Sequence, residues 1–376
     1  MRVALVGPTY PFRGGVALYT TLLCRALRRD HEVRFVSFSR QYPRILFPGR
    51  TDRLPGRPPV EAGDVSYLLD SLNPVTWHTT AVEIARFSPD VLILPWWVVF
   101  WAPHFAYITQ AVRRLTGCSV TFVCHNVVEH EANRLKKWIS RAVLSMPDRI
   151  VTHSEEETER ARQLVGGATD IVTGYHPTYA ALAEDTTGQR AAQSELGVEG
   201  PVLLFFGFVR HYKGLHVLLK ALPRVLRERS VTLVVAGEFW KDTSSYLDDI
   251  RRLGVEDHVH IEDRYIPHEE LATYFGAADL VVQPYLSASG SGVCQLAYGF
   301  NRPVIATRVG SLPEVIEDGH NGRLVPPGDE KRLASAILDS LEPQQLQRLS
   351  EGASRTPHKF GWEGMISLLL GTSSST

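Results

Sequence analysis

The sequence contains few cysteines, and their spacing argues against two common kinds of site. Four cysteines occur in 376 residues, and no two of them form a Cys-x-x-Cys pair. A structural zinc site and a disulfide scaffold are therefore not indicated, and a reducing compartment fits the composition. The N-terminus also lacks the long apolar run of a signal peptide. We expect a cytoplasmic location, with the inner face of the membrane as an alternative.

The sequence also lacks an excess of charge of either sign. Lys and Arg total 40, and Asp and Glu total 41. Dedicated nucleic-acid-binding proteins are usually strongly basic, so we expect no nucleic-acid partner. The two halves differ, because residues 1–180 hold 21 basic and 16 acidic side chains whereas the remainder holds 19 and 25. The basic first half suits a membrane surface or a lipid-linked phosphate.

One apolar stretch is long enough to be tested as a membrane span. Residues 91–112 read VLILPWWVVFWAPHFAYITQAV, and such a length can just cross a bilayer. Pro95, Pro103 and His104 interrupt it, and all three are unfavourable in a lone spanning helix. We therefore predict a buried strand, a loop and a core helix.

Short apolar strands alternate with helix-like segments in two series. The first series contains VALV, VRFVSF, VLILP, VTFVC and RIVTHS, and the second contains PVLLFFG, VTLVVAG, HVHIED, DLVVQPY and PVIAT. A polar segment, residues 180–200, separates them and is interpreted as a connection with a short helix. This order predicts an α/β fold of two doubly wound, Rossmann-like domains that face each other across a cleft.

A glycine-containing loop follows the first strand. It runs from Gly7 through Arg13 to Gly14 and Gly15, where a helix begins. Backbone N–H groups at such a helix start can bind an anion, although a helix that simply needs small residues explains the loop equally well. The dinucleotide pattern Gly-x-Gly-x-x-Gly is absent, and no acid ends the second strand. Both absences disfavour a nicotinamide dehydrogenase.

Two loops of the second series carry groups that bind phosphate. Arg210 and Lys213 follow the strand PVLLFFG, and both side chains pair with phosphate oxygens. The small-residue run SASGSG follows DLVVQPY and leads into a helix that begins near Ser291. Strand, small-residue loop and helix occur in the order of a phosphate cradle. The alternatives are a solvated loop and an ordinarily capped helix.

Two further features of the first series have open interpretations. His125 ends the strand VTFVC, where it can donate a hydrogen bond, move a proton or simply fill space. A basic segment with apolar residues between its arginines either docks on anionic lipid or a diphosphate, or forms an arginine-rich surface loop. The segment contains Arg40, Tyr42, Arg44, Ile45, Leu46, Phe47, Arg50, Asp52, Arg53 and Arg57.

Together these features resemble the GT-B glycosyltransferases, specifically the retaining family 4 group. The resemblance covers nearly the whole chain and is strongest from Gly207 to Asp329. Its most specific stretch is AADLVVQPYLSASGSGVCQLAYGFNRPVIATRVGSLPEVIEDGHNGRLVPPGD. The resemblance implies an N-terminal acceptor-binding domain (1–182), a C-terminal nucleotide-sugar-binding domain (200–355) and a helix (356–370) that packs back on the first domain.

The resemblance also implies a role for each candidate residue. Arg210 and Lys213 would neutralise the departing diphosphate, and His125 would lie beside the transferred sugar. The donor would be held by Gly15, Arg264, Tyr265, Ile266, Ser291, Gly292, Val293 and Gln295. Arg13 and Gly14 would lie on the acceptor side. The implied donor is a UDP- or GDP-sugar, and no metal or other cofactor is expected.

Two departures from the family pattern affect the donor site. The family's paired glutamates, which hold the donor sugar and the ribose, correspond to Ala288 and Leu296. The usual arginine of the phosphate loop corresponds to Phe208, with Arg210 two residues later as a stand-in. We expect a retaining glycosyltransferase acting on a glycan, lipid-linked or small-molecule acceptor. The alternatives are a non-catalytic scaffold of the same fold and a sugar-nucleotide epimerase.

Overall fold

A computed structural model describes residues 1–43, 52–54, 60–128, 133–167, 169–183, 188–240 and 243–372. The chain divides into two compact units. The first unit comprises Met1–Tyr175 and the segment that begins at Gly361, and the second comprises His176–Phe360.

The first unit contains a parallel sheet whose order, over the described residues, is β3-β2-β1-β4-β5-β6-β7. Its central strands β1, β4 and β5 are rich in Val, Ile, Leu and Phe and are almost entirely buried, as expected when helices cover both faces. The strands are β1 (Arg2–Val6), β2 (Glu32–Arg40), β3 (Ser66–Asp70), β4 (Val91–Trp96), β5 (Ser119–Cys124), β6 (Arg149–Thr152) and β7 (Asp170–Thr173). The helices are α1 (Gly15–Leu27), α2 (Pro74–Phe87), α3 (Ala102–Thr116), α4 (Arg134–Leu144) and α5 (Glu155–Val165).

The second unit repeats the doubly wound arrangement. Its described strands form one parallel sheet in the order β10-β9-β8-β11-β12-β13. The strands are β8 (Val202–Phe206), β9 (Thr232–Ala236), β10 (Val259–Glu262), β11 (Leu280–Gln283), β12 (Val304–Thr307) and β13 (Gly322–Val325). The helices are α6 (Gln189–Leu196), α7 (Leu215–Leu226), α8 (Ser244–Leu253), α9 (Leu271–Ala277), α10 (Gly292–Gly299), α11 (Leu312–Val315), α12 (Glu330–Leu341) and α13 (Pro343–Lys359).

The chain returns to the first unit at its C-terminal end. After Phe360, α14 (Trp362–Leu370) packs beside α1. Met365 and Leu369 lie in a core cluster with residues of β1, β4 and α1. The predicted single segment 356–370 is thus two helices, of which the first, α13, belongs to the second unit.

The boundaries between the units differ from the prediction. The division lies between Tyr175 and His176 rather than after residue 182. Residues 180–200 were predicted to connect the domains, but the described residues 180–183 and 188–200 belong to the second unit. The side chain of Gln189 donates hydrogen bonds to the Ala277 carbonyl (3.3 Å) and to Asp279 (3.0 Å).

The apolar stretch 91–112 forms β4, a short 3₁₀ turn and the first part of α3. None of the helices in the described ranges combines the length and the apolar character that crossing a bilayer requires. In the basic segment, Arg44, Ile45, Leu46, Phe47, Arg50 and Arg57 lie outside the described residues.

Candidate functional site

The strand order of the second unit fixes where its ligand crevice lies. Strands added after β8 first run to one side, through β9 and β10, and then to the other, through β11 to β13. In such sheets the crevice opens at the carboxyl ends of the two strands where the order reverses, here β8 and β11. The loops that follow β8 and β11 carry the predicted phosphate-binding residues, so the topology brings them together.

Glycines allow the loops after β8 and β9 to approach each other closely. Gly207 has a φ of 91°, and Gly237 has a φ of 152°. A Cβ on Gly237 would lie 2.2 Å from the carbonyl oxygen of Gly207, a separation that no other residue tolerates. The loop continues to Gly214, where a Cβ would lie 1.9 Å from the Pro284 carbonyl oxygen. The loop after β8 is therefore held against the strand end at β11.

Two cations project from this loop. The guanidinium carbon of Arg210 lies 3.7 Å from the centroid of the Trp240 ring, a stacked cation–π contact. The ammonium nitrogen of Lys213 lies 5.6 Å from the centroid of Tyr285. Burial, and to a lesser extent the neighbouring Arg210, lower the pKa of Lys213 to about 8. Within the described residues neither cation forms an ion pair, so the pair is an uncompensated positive site.

The N-terminus of α10 faces the same position. A Cβ on Gly207 would lie 3.3 Å from Nζ of Lys213 and 3.4 Å from Cγ2 of Val293. Ser291 caps the helix by accepting a hydrogen bond from the Cys294 amide at 3.3 Å. The first N–H groups of a helix have no intrahelical acceptor. The helix therefore presents amides, including those of Gly292 and Val293, beside the two cations, an arrangement that binds anions.

Hydrogen bonds and close packing fix the loop that precedes α10. The hydroxyl groups of Tyr285 and Ser291 lie 3.3 Å apart, and Thr307 donates a 2.6 Å hydrogen bond to the Tyr285 carbonyl. A Cβ on Gly310 would lie 2.1 Å from the carbonyl oxygen of Ala288. Ala288 is thus part of a tightly packed turn. Leu296 is buried. Because alanine and leucine occupy the two family glutamate positions, neither position carries a charge.

The residues predicted to bind the donor differ in how far their side chains are exposed to solvent. The Arg264 guanidinium donates to Glu262 at 3.1 Å and contacts both carboxylate oxygens of Glu270. The hydrogen bond to Glu270 raises the pKa of Arg264, and its charge is compensated. Ile266 and Gln295 are only 4% and 2% exposed, so their side chains face the interior. Tyr265 is partly exposed.

In the first unit, the glycine loop opens α1. Gly14 has a φ of 116° and occupies the N-cap position. A Cβ on Gly15 would meet no described heavy atom within 4 Å, so this backbone is approachable. Arg13 is 7% exposed, and its amide donates to the Asp52 carbonyl at 2.9 Å. The Arg13 side chain is therefore largely buried in the unit, and its acceptor-side role stays a prediction.

His125 belongs to an aromatic cluster that the sequence did not reveal. Its ring centroid lies 4.6 Å from that of Tyr19, and the planes are nearly perpendicular. His153, at the end of β6, lies 4.9 Å from His125, and its Nδ1 lies 3.0 Å from the Tyr175 carbonyl oxygen. Trp362 of α14 packs on Tyr19 at 5.1 Å. Tyr19 therefore contacts both His125 and the helix α14.

A small pocket lies next to His125 in the chain. It is a narrow depression lined by Trp96, Trp97, Val98, Val99, Asn126, Val127, Lys136 and Ser140. Glu157, itself buried, accepts a 2.6 Å hydrogen bond from the Val127 amide and fixes this loop. No cluster of His, Cys, Asp or Glu side chains suited to holding a metal ion occurs in the described ranges.

Two family descriptions match the chain, one in each unit. Residues 14–175 match the family described as "Glycosyl transferase 4-like domain". Residues 200–343 match the family described as "Glycosyl transferases group 1". The two matches together cover most of the chain, and the first ends at Tyr175, the last residue before the boundary between the units.

Relatives and solved structures agree with these matches. A D-inositol 3-phosphate glycosyltransferase of Streptomyces bingchenggensis is 32% identical over 239 residues, 59% of this chain and 51% of that protein. A protein of the same name from Catenulispora acidiphila is 31% identical, over 61% of this chain and 57% of that protein. The chain thus spans about half the length of the curated relatives it matches.

Two solved structures show the fold. Sucrose-phosphate synthase from Thermosynechococcus elongatus superposes with a TM-score of 0.70 at 21% identity, covering 99% of this chain and 97% of that one. Anabaena Alr3699/HepE, solved in complex with UDP, gives 0.72 at 17% identity, covering 99% and 98%. The two doubly wound units and the two family matches identify this chain as a member of the GT-B glycosyltransferases, with a 4-like first domain and a group 1 second domain.

Proposed function

We propose that this protein transfers a sugar from a nucleoside diphosphate donor to an acceptor hydroxyl with retention of anomeric configuration. One observation carries the proposal. Arg210 and Lys213, two cations without an ion pair in the described residues, converge with the N-terminus of α10 at the strand-order reversal of the second unit. A site of this charge and geometry binds a diphosphate.

Each group of the second unit has a defined task in this reaction. The bond between the anomeric carbon and the diphosphate oxygen breaks, and negative charge develops on the leaving group. Lys213, Arg210 and the amides of Gly292 and Val293 stabilise that charge. The acceptor oxygen attacks the face from which the diphosphate departs, which retains the configuration, and the hydroxyl proton passes to the departing diphosphate or to His125. Tyr265 and the backbone of Arg264 flank the nucleobase.

The first unit supplies the acceptor side in this proposal. The exposed backbone at Gly15 contacts phosphate, and His125 donates a hydrogen bond to the transferred sugar or moves a proton. The acceptor is a glycan, a lipid-linked molecule or a small molecule. HepE was solved with UDP and glucose, and we propose that the donor here is a UDP- or GDP-sugar.

A donor screen tests the proposal. The protein is heated with UDP-, GDP- and ADP-sugars, and a bound donor raises the apparent unfolding temperature. Calorimetry then gives the affinity for each hit, and release of nucleoside diphosphate reports turnover. We expect at least one donor to bind and to be consumed. Binding without consumption would support a non-catalytic scaffold instead. The absence of both family glutamates, at Ala288 and Leu296, is the observation that favours this alternative.

Two further measurements separate the finer parts of the proposal. The anomeric configuration of the product, read by NMR, is expected to match that of the donor. Turnover is expected to persist when EDTA removes divalent metal ions, because Lys213, Arg210 and the α10 amides stabilise the negative charge of the leaving group. Formation of an epimerised nucleotide sugar without any acceptor would instead support an epimerase.

A further inference from the structure

The helix α4 exposes two large apolar side chains to solvent. Leu135 is 62% exposed and Trp138 is 67% exposed. They are three residues apart, so they are neighbours on one side of the helix. The opposite side is anchored in the first unit, where Ser140, Val143 and Leu144 are buried. The fold therefore fixes the helix in place and presents both apolar groups outward.

Cations form a second stripe beside these apolar groups. Arg134, Lys137 and Arg141 are exposed and recur at a spacing that keeps them on one side of a helix. The helix reads RLKKWISRAVL and contains no acidic residue. Two of the cations lie in the first turn, where the helix dipole disfavours positive charge. Helix stability therefore does not account for their placement.

The helices on the two sides of α4 differ in the side chains that they expose. The helix α3 packs beside α4 and exposes Tyr107 (40%) and Leu115 (58%), together with Arg114. On the other side, α5 exposes glutamates, of which Glu156 pairs with Arg160. The Tyr107 hydroxyl lies 3.0 Å from Nδ1 of His78 on α2, so the apolar and basic groups that lie together are those of α4 itself.

We propose that the outward side of α4 docks on an anionic lipid bilayer. Tryptophan and basic side chains are the groups that bind at the headgroup boundary, the ring inserting and the cations pairing with phosphates. The exposed face of one 11-residue helix is narrow, whereas a stable protein interface buries about 800 Å² on each partner. Binding to a bilayer does not require a partner surface of complementary shape, so a narrow face is sufficient. The positive charge of the face also suits anionic lipid.

Docking would place the pocket of the first unit close to the bilayer. Lys136 and Ser140 of α4 line that pocket, while Leu135 and Trp138 face away from it into solvent. An acceptor carried by a lipid would then reach the first unit from the membrane. The docking itself does not depend on glycosyl transfer, so its test is independent of the proposed function.

The test measures binding of the full chain to vesicles. Flotation with phosphatidylcholine vesicles, with or without phosphatidylglycerol, is compared at low and physiological salt for three variants. One replaces the apolar pair (L135S/W138S), and one replaces the cations (R134Q/K137Q/R141Q). The control, L247S/R251Q, alters an exposed leucine and arginine on α8, where Asp248 and Asp249 balance the arginines. Unfolding temperatures verify that each variant is folded.

We expect the wild-type protein and the α8 control to bind the anionic vesicles. Each cation near such a surface contributes about fivefold in binding, so the triple variant should bind on the order of 100-fold more weakly. The apolar variant should also lose most of its binding. Failure of the wild-type protein to bind, equal binding to neutral vesicles, or unchanged binding by both α4 variants would overturn the proposal. So would a self-association, seen by light scattering, that L135S/W138S abolishes without any vesicle binding.

Discussion

The ammonium nitrogen of Lys213 lies against Gly207, 3.3 Å from the position that a Cβ on this glycine would occupy. The backbone at Gly207 also has a φ of 91°, a conformation that alanine adopts only with strain. Gly207→Ala should therefore lower the free energy of unfolding by about 1–2 kcal/mol and displace Lys213. Urea denaturation measures the first effect, and calorimetry with the donor measures the second.

Gly167→Ala is the matched control for that substitution. Gly167 is exposed, and a Cβ there would meet no described heavy atom within 4 Å. We expect its stability and donor affinity to equal those of the wild-type protein. If Gly207→Ala behaved like this control, the close packing of Lys213 on Gly207 would be refuted.

Removal of the Lys213 charge should stabilise the protein. Burial and Arg210 lower its pKa to about 8, so the unfolded chain binds this proton more tightly than the folded chain. The stability of the wild-type protein should rise between pH 8 and the ordinary lysine pKa of about 10.4 through this group. Lys213→Met should raise the free energy of unfolding at pH 7 by about 1–3 kcal/mol.

Paired urea titrations of both proteins at pH 7 and pH 10 check this prediction. The difference in unfolding free energy should shrink at the higher pH, where the wild-type lysine is neutral. A difference that is constant with pH, or a variant less stable at pH 7, would show that Lys213 is not strained by its site.

Gly15→Ala separates binding from folding in the first unit. The added Cβ enters open space, and alanine is favourable near a helix start. We expect stability to be unchanged or slightly higher, while kcat/KM falls because the backbone can no longer approach phosphate. Steady-state kinetics measures kcat/KM, and thermal unfolding measures stability. A variant with the kcat/KM of the wild-type protein would show that Gly15 does not contribute to the site.

His125→Ala tests the aromatic cluster. A hydrogen bond or proton transfer made by His125 in the transition state is worth about 10²–10⁴ in rate. We expect kcat to fall by such a factor while donor affinity, set by the second unit, stays within twofold of the wild-type value. His31→Ala, at a partly exposed position in the loop before β2, serves as a control that should not affect kcat. Loss of donor affinity with normal kcat would assign His125 to binding instead.

The sequence predicted the parallel architecture because short apolar strands alternate with helix-like segments. It missed β3, β7 and β13, which are only four or five residues long and contain Ser, Asp or Gly. In the described sheets all three lie at an edge, and β3 and β7 are mostly half-buried, so they need no continuous apolar run that a sequence pattern could reveal. The polar segment 180–200 was misinterpreted for a related reason, because its contacts with α9 are made by glutamines that the apolar pattern does not reveal.

The sequence located the phosphate loops but not the side chains that support them. Trp240 stacks on Arg210 from 30 positions away, and Trp362 reaches Tyr19 from the other end of the chain. The first contact arises because the carboxyl ends of β8 and β9 meet, and the second because α14 packs beside α1; a linear pattern specifies neither. Trp240 had one available signal, since it follows a strand and Gly237 at the same edge as Gly207.

Turnover by Lys213→Met is the most direct measurement of the central claim, that the site in the second unit stabilises a departing diphosphate. It is made with the donor found in the screen, at saturating concentration, on protein whose fold is verified by circular dichroism. A lost transition-state contact of this kind lowers kcat by about 10²–10³, and we predict that loss with folding intact. Wild-type kcat in the folded variant would contradict the account.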